Sequence, residues 1–325
     1  MKNYTIRQYN HSDYSNWNAF ISQSKNATFL FHRDFMEYHS DRFADFSLIV
    51  LDGEKWVAVL PANRVGDTVF SHQGLTYGGL LFGEKSKLLL TIEIFKKVLI
   101  FLNENKIKSL NIKLIPAIYH KKPTEELSYV LFLANAKLTR RDALSVLDLN
   151  TKIKITSGRN EGVKKAKNSG LIIKEEANFE SFWNSILIPN LLKKHLTKPI
   201  HSVEEITKLR QLFPDNIRQF NVYQNDKIVA GTTIFETHRV AHAQYISGDE
   251  SKSENGSLDY LYHELITNTF KDKKYFDFGT SNENQGRKLN SGLNFWKESF
   301  GASTIVQDFY EVETANIHLL NDVLI

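Results

Sequence analysis

One order of signals occurs twice along the chain. Residues 46–64, FSLIVLDGEKWVAVLPANR, read as two apolar strands about a tight turn at Asp52-Gly53. Residues 220–248, FNVYQNDKIVAGTTIFETHRVAHAQYISG, repeat this about Asn225-Asp226 and add a third strand. Asn, Asp and Gly at those corners tolerate the left-handed backbone that two-residue hairpin loops require. In each half a helical pattern follows and then another strand: Leu88 to Leu102 before Leu110–Ile115, and Leu258 to Phe270 before Tyr275–Phe278. In the second, Leu258, Leu261, Leu265 and Phe270 recur at roughly helical spacing and form one apolar face. The repetition predicts an α/β chain with a duplicated unit, although a mixed α/β protein can repeat such elements without duplication. The predicted domains are 1–150 and 151–325, divided near Asp148–Thr156.

A helical connector is expected over Asn160–Asn168, stopped by Gly170, with further helices over 178–195 and 202–213. Ser202 followed by Glu205 is a capping-box spacing, and Pro214 ends that helix. At 325 residues the chain is long enough for two cores. It has no cysteine, which removes disulfides, thiolate metal sites and cysteine nucleophiles from consideration. The net charge of +4, from 41 basic and 37 acidic residues, is too small to argue for nucleic acid as a partner. No stretch reaches the ~20 apolar residues a membrane span needs, and the polar start MKNYTIRQYNHSDYSNW has no apolar signal core, so a cytoplasmic protein is expected. Patterns for a serine nucleophile elbow, a zinc-binding HExxH helix and a phosphate-binding P-loop are lacking, and no metal site is predicted.

The small polar run Ser253–Ser257 precedes the helix at Leu258. Free N–H groups and the helix dipole at such a start can hold a pyrophosphate, and Gly256 would allow close approach. A plain N-cap explains the same residues. The wider order is more specific: a long strand, a Gly-containing loop, a helix, then a strand ending Asp277-Phe278-Gly279.

Several segments resemble the branch of the GNAT superfamily related to the Fem nonribosomal peptidyltransferases. RNEGVKKAKNSG resembles that branch's Arg-rich helix followed by a glycine. HLTKPIHSVEEITKLRQLFPDNIRQFNVYQNDKIVAGTTIF resembles its linker, helix and first strands, and YFDFGTSNENQGRKLNSGLNFWKESFGA its strand, DFG turn and Lys-containing helix. In the first half NATFLFHRDFMEYH and SHQGLTYGGL resemble the opening helical segment and a Gly-rich substrate turn. Asn255-Gly256-Ser257 departs from the usual two-glycine pattern of the CoA loop. The resemblance implies two tandem GNAT-like domains, each a mixed, mainly antiparallel sheet flanked by helices. Within the branch the likeness is greatest to enzymes that acylate the amine of a dTDP-linked 3-amino-3,6-dideoxyhexose for O-antigen or capsule synthesis. That implies acyl-CoA as co-substrate, carrying acetyl or 3-hydroxybutanoyl, with no permanently bound cofactor. The first domain would take the sugar nucleotide and the second the acyl-CoA.

Amine attack on a thioester calls for positioning, an oxyanion donor and a proton acceptor. His72, in the turn before Gly78 and Gly79, is the candidate base, with a hydrogen-bonded structural histidine as the equal alternative. Tyr245 and Gln244 lie where GNAT strands part to admit the thioester, and strand alternation would send only one of them to the site. Backbone N–H groups over Ile246, Ser247 and Gly248 are expected at the oxyanion, with Asn255, Gly256 and Ser257 at the CoA phosphates. Lys297 matches the family's lysine near the reaction centre, or is a surface helix lysine. His32, Arg33, Gln73 and Tyr77 are assigned to the acceptor, Gln244 with them; His32 and Arg33 would meet the sugar-nucleotide phosphate, with a solvated helix residue as the alternative for Arg33. Asp277 could be a strand-end acid, but Gly279 beside it favours a turn-forming role. Two other readings remain: a Fem-like transferase using aminoacyl-tRNA on a peptidoglycan precursor, and a catalytically silent carbohydrate- or nucleotide-binding module.

Overall fold

The computed structural model describes residues 4–324. In chain order the strands are β1 (Tyr4–Gln8), β2 (Leu48–Asp52), β3 (Lys55–Leu60), β4 (Asn63–Val65), β5 (Thr68–Phe70), β6 (Leu81–Phe82), β7 (Ser109–Lys113), β8 (Lys137–Asp148), β9 (Ile172–Glu176), β10 (Ile217–Gln224), β11 (Lys227–Glu236), β12 (Val240–Gly248), β13 (Tyr275–Thr280), β14 (Asn282–Glu283), β15 (Lys288–Leu289) and β16 (Ser303–Glu313). The helices are α1 (Tyr14–Gln23), α2 (Arg33–Met36), α3 (Leu88–Glu104), α4 (Glu126–Leu133), α5 (Ser157–Asn168), α6 (Glu180–Phe182), α7 (Ile188–His195), α8 (Val203–Leu212), α9 (Lys252–Asn255), α10 (Ser257–Glu264) and α11 (Ser291–Glu298). They form two compact units, Met1–Asp142 with Val306–Ile325, and Ala143–Ile305. The chain passes from one unit to the other inside β8 and returns inside β16.

In the first unit, β1-β2-β3-β6 form an antiparallel sheet, and β4, β5, β7 and β16 form a second run in that order. The β2–β3 turn has Gly53 at φ 62°. β5 pairs parallel with β7, the connection including α3, while β7 pairs antiparallel with β16. Ile92, Phe95, Val98, Leu99 and Leu102 give α3 a helical apolar stripe, buried with Leu48, Val50 and Leu60 from the strands. A division in chain order at residue 150 places the C-terminal segment with the second half. Here the last twenty residues group with the first unit, because Phe309–Glu313 pair with β7 and Val312 and Leu320 enter its core.

The second unit orders its strands β8-β13-β12-β11-β10-β9. All neighbours are antiparallel except β12 and β13, which are parallel and joined through α10. The β10–β11 turn holds Asn225 and Asp226 at φ 48° and 61°, the left-handed pair of a type I′ hairpin. Ala230, Ile234, Ala241 and Ala243 face a core with Leu261, Tyr262, Leu265 and Ile266 of the α10 segment. The opposite face lies under Phe182, against which a Cβ at Gly231 would collide. The helix expected over 178–195 is present but widens into a π turn at Trp183–Leu187. Pro189 at the start of α7 has no N–H to continue the regular ladder, and the wider turn accommodates it. The capping box at Ser202 and Glu205 forms as its spacing predicts.

Candidate active site

The second unit contains a point where two neighbouring strands part. The parallel ladder of β12 with β13 runs Val240↔Tyr275, Ala241↔Phe276, His242↔Asp277, while β12 stays paired with β11 as far as Gly248. β13 shifts register against β8 between Asp277 and Thr280. Beyond His242 the β13-facing edge of β12 is therefore out of this ladder. The register of β12 against β11 also slips there: Ile234 pairs Ala243 and Thr233 pairs Tyr245, leaving Gln244 as an extra residue. Such a bulge resets the alternation of side chains. His242, Tyr245 and Ser247 consequently share one face, and Ala241, Ala243 and Ile246 share the other. Plain alternation would have put Gln244 and Tyr245 on opposite faces. The bulge instead brings the Gln244 side chain against the Tyr245 hydroxyl.

Tyr245 is buried. Its hydroxyl lies 2.7 Å from His201 Nδ1, with which it shares a hydrogen bond, and accepts the His201 backbone N–H at 3.3 Å. Burial pushes the phenol up to about 12 and keeps it protonated. The Trp183 ring meets Tyr245 edge-on at 5.1 Å. Among the described residues the Gln244 carbonyl oxygen is buried without a hydrogen-bond partner. Ser247 Oγ and the Gly248 carbonyl both accept from Asn190 Nδ2 at 2.8 Å, which ties the end of β12 to α7.

On the other strand, Asp277 Oδ2 is 3.0 Å from His242 Nδ1 and Oδ1 accepts the Gly279 N–H at 2.7 Å. Asp277 is thus both the turn former its neighbour Gly279 indicated and the partner of a histidine 35 residues away. Lys297 is 1% exposed, although a helix lysine is ordinarily a surface residue. Its ammonium donates to the carbonyls of Gly279 at 2.9 Å and Thr280 at 2.8 Å. Burial lowers Lys297 to about 8, against the opposing pull of Asp277. His242, His201 and Asn190 are not among the residues that sequence motifs single out. Their signal lies in the strand register and in the helix packing, neither of which has a local pattern.

The start of α10 packs against α5. Gly256 has φ 68°, and a Cβ there would overlap the carbonyl oxygen of Gly162 in α5. Ser257 is fully buried, and its N–H donates to Asn255 Oδ1 at 2.9 Å. The first turn carries Asp259, held by Arg159 at 2.6 Å and by the Trp296 N–H at 3.0 Å. A carboxylate at that position complements the helix dipole as an external anion would.

In the first unit, His72 follows the end of β5, the strand equivalent in topology to β12. It is 4% exposed at φ 67°, and its ring stacks on His39 at 5.0 Å. Burial first, then the positive charges of His39, Arg33 and Lys113, push it down to about 3. Gln73 exchanges two hydrogen bonds with Asn63, both at 2.8 Å. Tyr77 donates to Thr28 Oγ1 at 3.1 Å and packs on Tyr119. Arg33 is 1% exposed, with its guanidinium over Tyr9 and Trp17 and ion-paired to Asp45. His32, partly buried, precedes it at the start of α2 and is lowered by burial. The described residues contain no group of His, Cys, Asp and Glu able to hold a metal ion, and no helix long and apolar enough to cross a membrane.

No protein-family model and no curated protein matches the chain by sequence. Solved structures do match it nearly end to end. The crystal structure of FemX superposes with a TM-score of 0.66 at 8% identity, covering 98% of this chain and 99% of that one. A tandem GNAT protein from the clavulanic acid biosynthesis pathway gives 0.54 at 9% identity, covering 96% and 99%. The fold is the tandem GNAT fold. L-PGS from Bacillus licheniformis shares it, with a TM-score of 0.57 at 11% identity and coverage of 97% and 96%. At these identities the likeness concerns architecture, and chemistry has to be argued from the side chains.

Proposed function

We propose that this tandem GNAT chain is an N-acyltransferase that moves an acetyl or 3-hydroxybutanoyl group from acyl-CoA to the amine of a dTDP-linked 3-amino-3,6-dideoxyhexose. The observation that carries acyl transfer is the parting of β12 and β13 at His242, with the Gln244 bulge and Tyr245 on one strand and the clamp of Lys297 on the other. Parted strands offer backbone donors, around Ile246 to Gly248, to the oxyanion that develops as the amine attacks. The buried Lys297 ammonium adds positive charge to the same region. The acceptor assignment of His32, Arg33, Gln73 and Tyr77, with His72, rests on the resemblance of NATFLFHRDFMEYH and SHQGLTYGGL to sugar N-acyltransferases; Arg33 and Tyr77 are buried on Asp45 and Thr28, which leaves the partly buried His32 and the exposed Gln73 as the groups placed to meet a ligand. His72, held down to about 3, is a weak proton acceptor and is assigned to recognition. Incubation with acetyl-CoA or 3-hydroxybutanoyl-CoA and a panel of dTDP-aminosugars tests the proposal. Thiol release dependent on one amine is the expected result; no thiol release together with no CoA binding excludes it.

One observation favours a second reading. The packing of Gly256 on Gly162 and the carboxylate of Asp259 in the first turn of α10 disfavour an external pyrophosphate there. A transferase whose donor is an aminoacyl-tRNA, as in the Fem-like alternative, has no need of a pyrophosphate there. Such a donor predicts tRNA binding that weakens steeply with salt, and salt-independent or absent binding removes this reading.

A further inference from the structure

We propose that His242 is the general base of the acyl transfer and that Asp277 is its positioning residue. The inference rests on the acyl-transfer reading and assigns the proton. His242 and Asp277 are the last paired residues of the parallel ladder, at the point where the strands separate. The histidine side chain is 14% exposed and the carboxylate 1%. Asp277 is fixed in turn by the Gly279 N–H, and the Gly279 carbonyl by Lys297. Gly279 has φ 70°, and a Cβ at that position would come within 3.3 Å of His242 Cε1, so a residue without a side chain leaves the ring its place. A buried carboxylate accepting the Nδ1 proton holds the ring in one tautomer, with the lone pair on Nε2. The bulge at Gln244 keeps His242 on the face of Tyr245, so the acceptor nitrogen belongs to the same face as the phenol. Stability alone does not require such an arrangement, since a buried ionisable pair at a strand end is commonly no better than an apolar one.

The chemistry balances with these groups. The amine lone pair forms the C–N bond to the acyl carbon as the carbonyl electrons move to oxygen. Nε2 of His242 takes the proton that the nitrogen sheds. The tetrahedral intermediate collapses, the C–S bond breaks, and the electron pair leaves on sulfur. The imidazolium returns its proton to that sulfur, giving amide and free thiol.

The test uses the full-length protein and the amine on which it releases thiol. His242→Asn keeps a donor near the Nδ1 position and removes the acceptor. The expected result is a kcat lower by about 10²- to 10⁴-fold with KM for both substrates within about threefold. His242→Ala should recover activity with added imidazole, and Asp277→Asn should lower kcat by a smaller factor. A folded His242→Asn enzyme within threefold of wild-type kcat, or one whose loss lies wholly in KM, overturns the assignment while leaving acyl transfer intact. Wild-type protein that acylates no amine overturns the acyl-transfer reading and the assignment with it. Nitrogen NMR of the wild type gives an independent reading where variants fail to fold: a proton on Nδ1 supports the assignment, and a proton on Nε2 at pH 7.5 sinks it.

Discussion

Two side chains carry their surroundings into the pH dependence of stability. Lys297 is held near 8 when folded against 10.5 as an ordinary lysine. Between those values the unfolded chain binds more protons, so stability rises with pH across the window, and below pH 8 the buried ammonium is a constant cost. The stability difference between wild type and Lys297→Met should therefore shift in favour of wild type from pH 8 to 10.5, by up to ~1.4 kcal/mol per pH unit. Urea unfolding at pH 7, 8.5 and 10 measures this, and a flat difference would show that Lys297 is not desolvated. His72 acts at the other end of the scale. Its folded value of about 3 lies below the ordinary 6.5, so the stability it allows is complete above pH 6.5 and is lost as pH falls toward 3. His72→Asn, which tolerates the left-handed backbone, should show a smaller drop in melting temperature from pH 7 to 4.5 than wild type.

Among elements, α5 and the start of α10 carry glycines with opposite roles. Gly158 is helical, and a Cβ there would have nothing within 4 Å, so Gly158→Ala should stabilise by ~0.5–1 kcal/mol. Gly256 combines a left-handed φ with the close carbonyl of Gly162, so Gly256→Ala should destabilise by ~2 kcal/mol or more. Thermal melts of the two variants should move in opposite directions. This pair also marks how far the sequence was legible. Gly256 stood out as a place of close approach, and the structure has close approach there, but the neighbour is α5. Local chemistry shows that a backbone needs room; it does not show what takes the room. Hairpin turns, α3, the α8 capping box and Gly170 after α5 were readable because each depends on residues within one turn of each other. The His242–Asp277 pair depends on parallel register across 35 residues, and the Gln244 bulge on a register slip. No spacing rule in one sequence carries either.

At the scale of the molecule, each unit has its own apolar core, and the first unit's core draws on both ends of the chain. Val312 and Leu320 are 1% and 3% exposed there, each contributing on the order of 1.5–3 kcal/mol by burial. A protein ending at Ile305 loses both, together with the β16 residues that pair with β7. Hydrogen exchange on that truncation should show protection lost in α3 and β7 and retained in β10, β11 and β12. Uniform loss across the chain would mean that the cores do not stand separately.

The chain's double passage, out through β8 and back through β16, has a consequence during synthesis. The second unit is contiguous, so every residue of its core has been synthesised by Ile305. The first unit, although begun earlier, waits for its closing strand until Phe309–Glu313 emerge. The unit begun first is therefore completed after the second, and a nascent chain carries the β7 edge unpaired and available to chaperones throughout synthesis of the second unit.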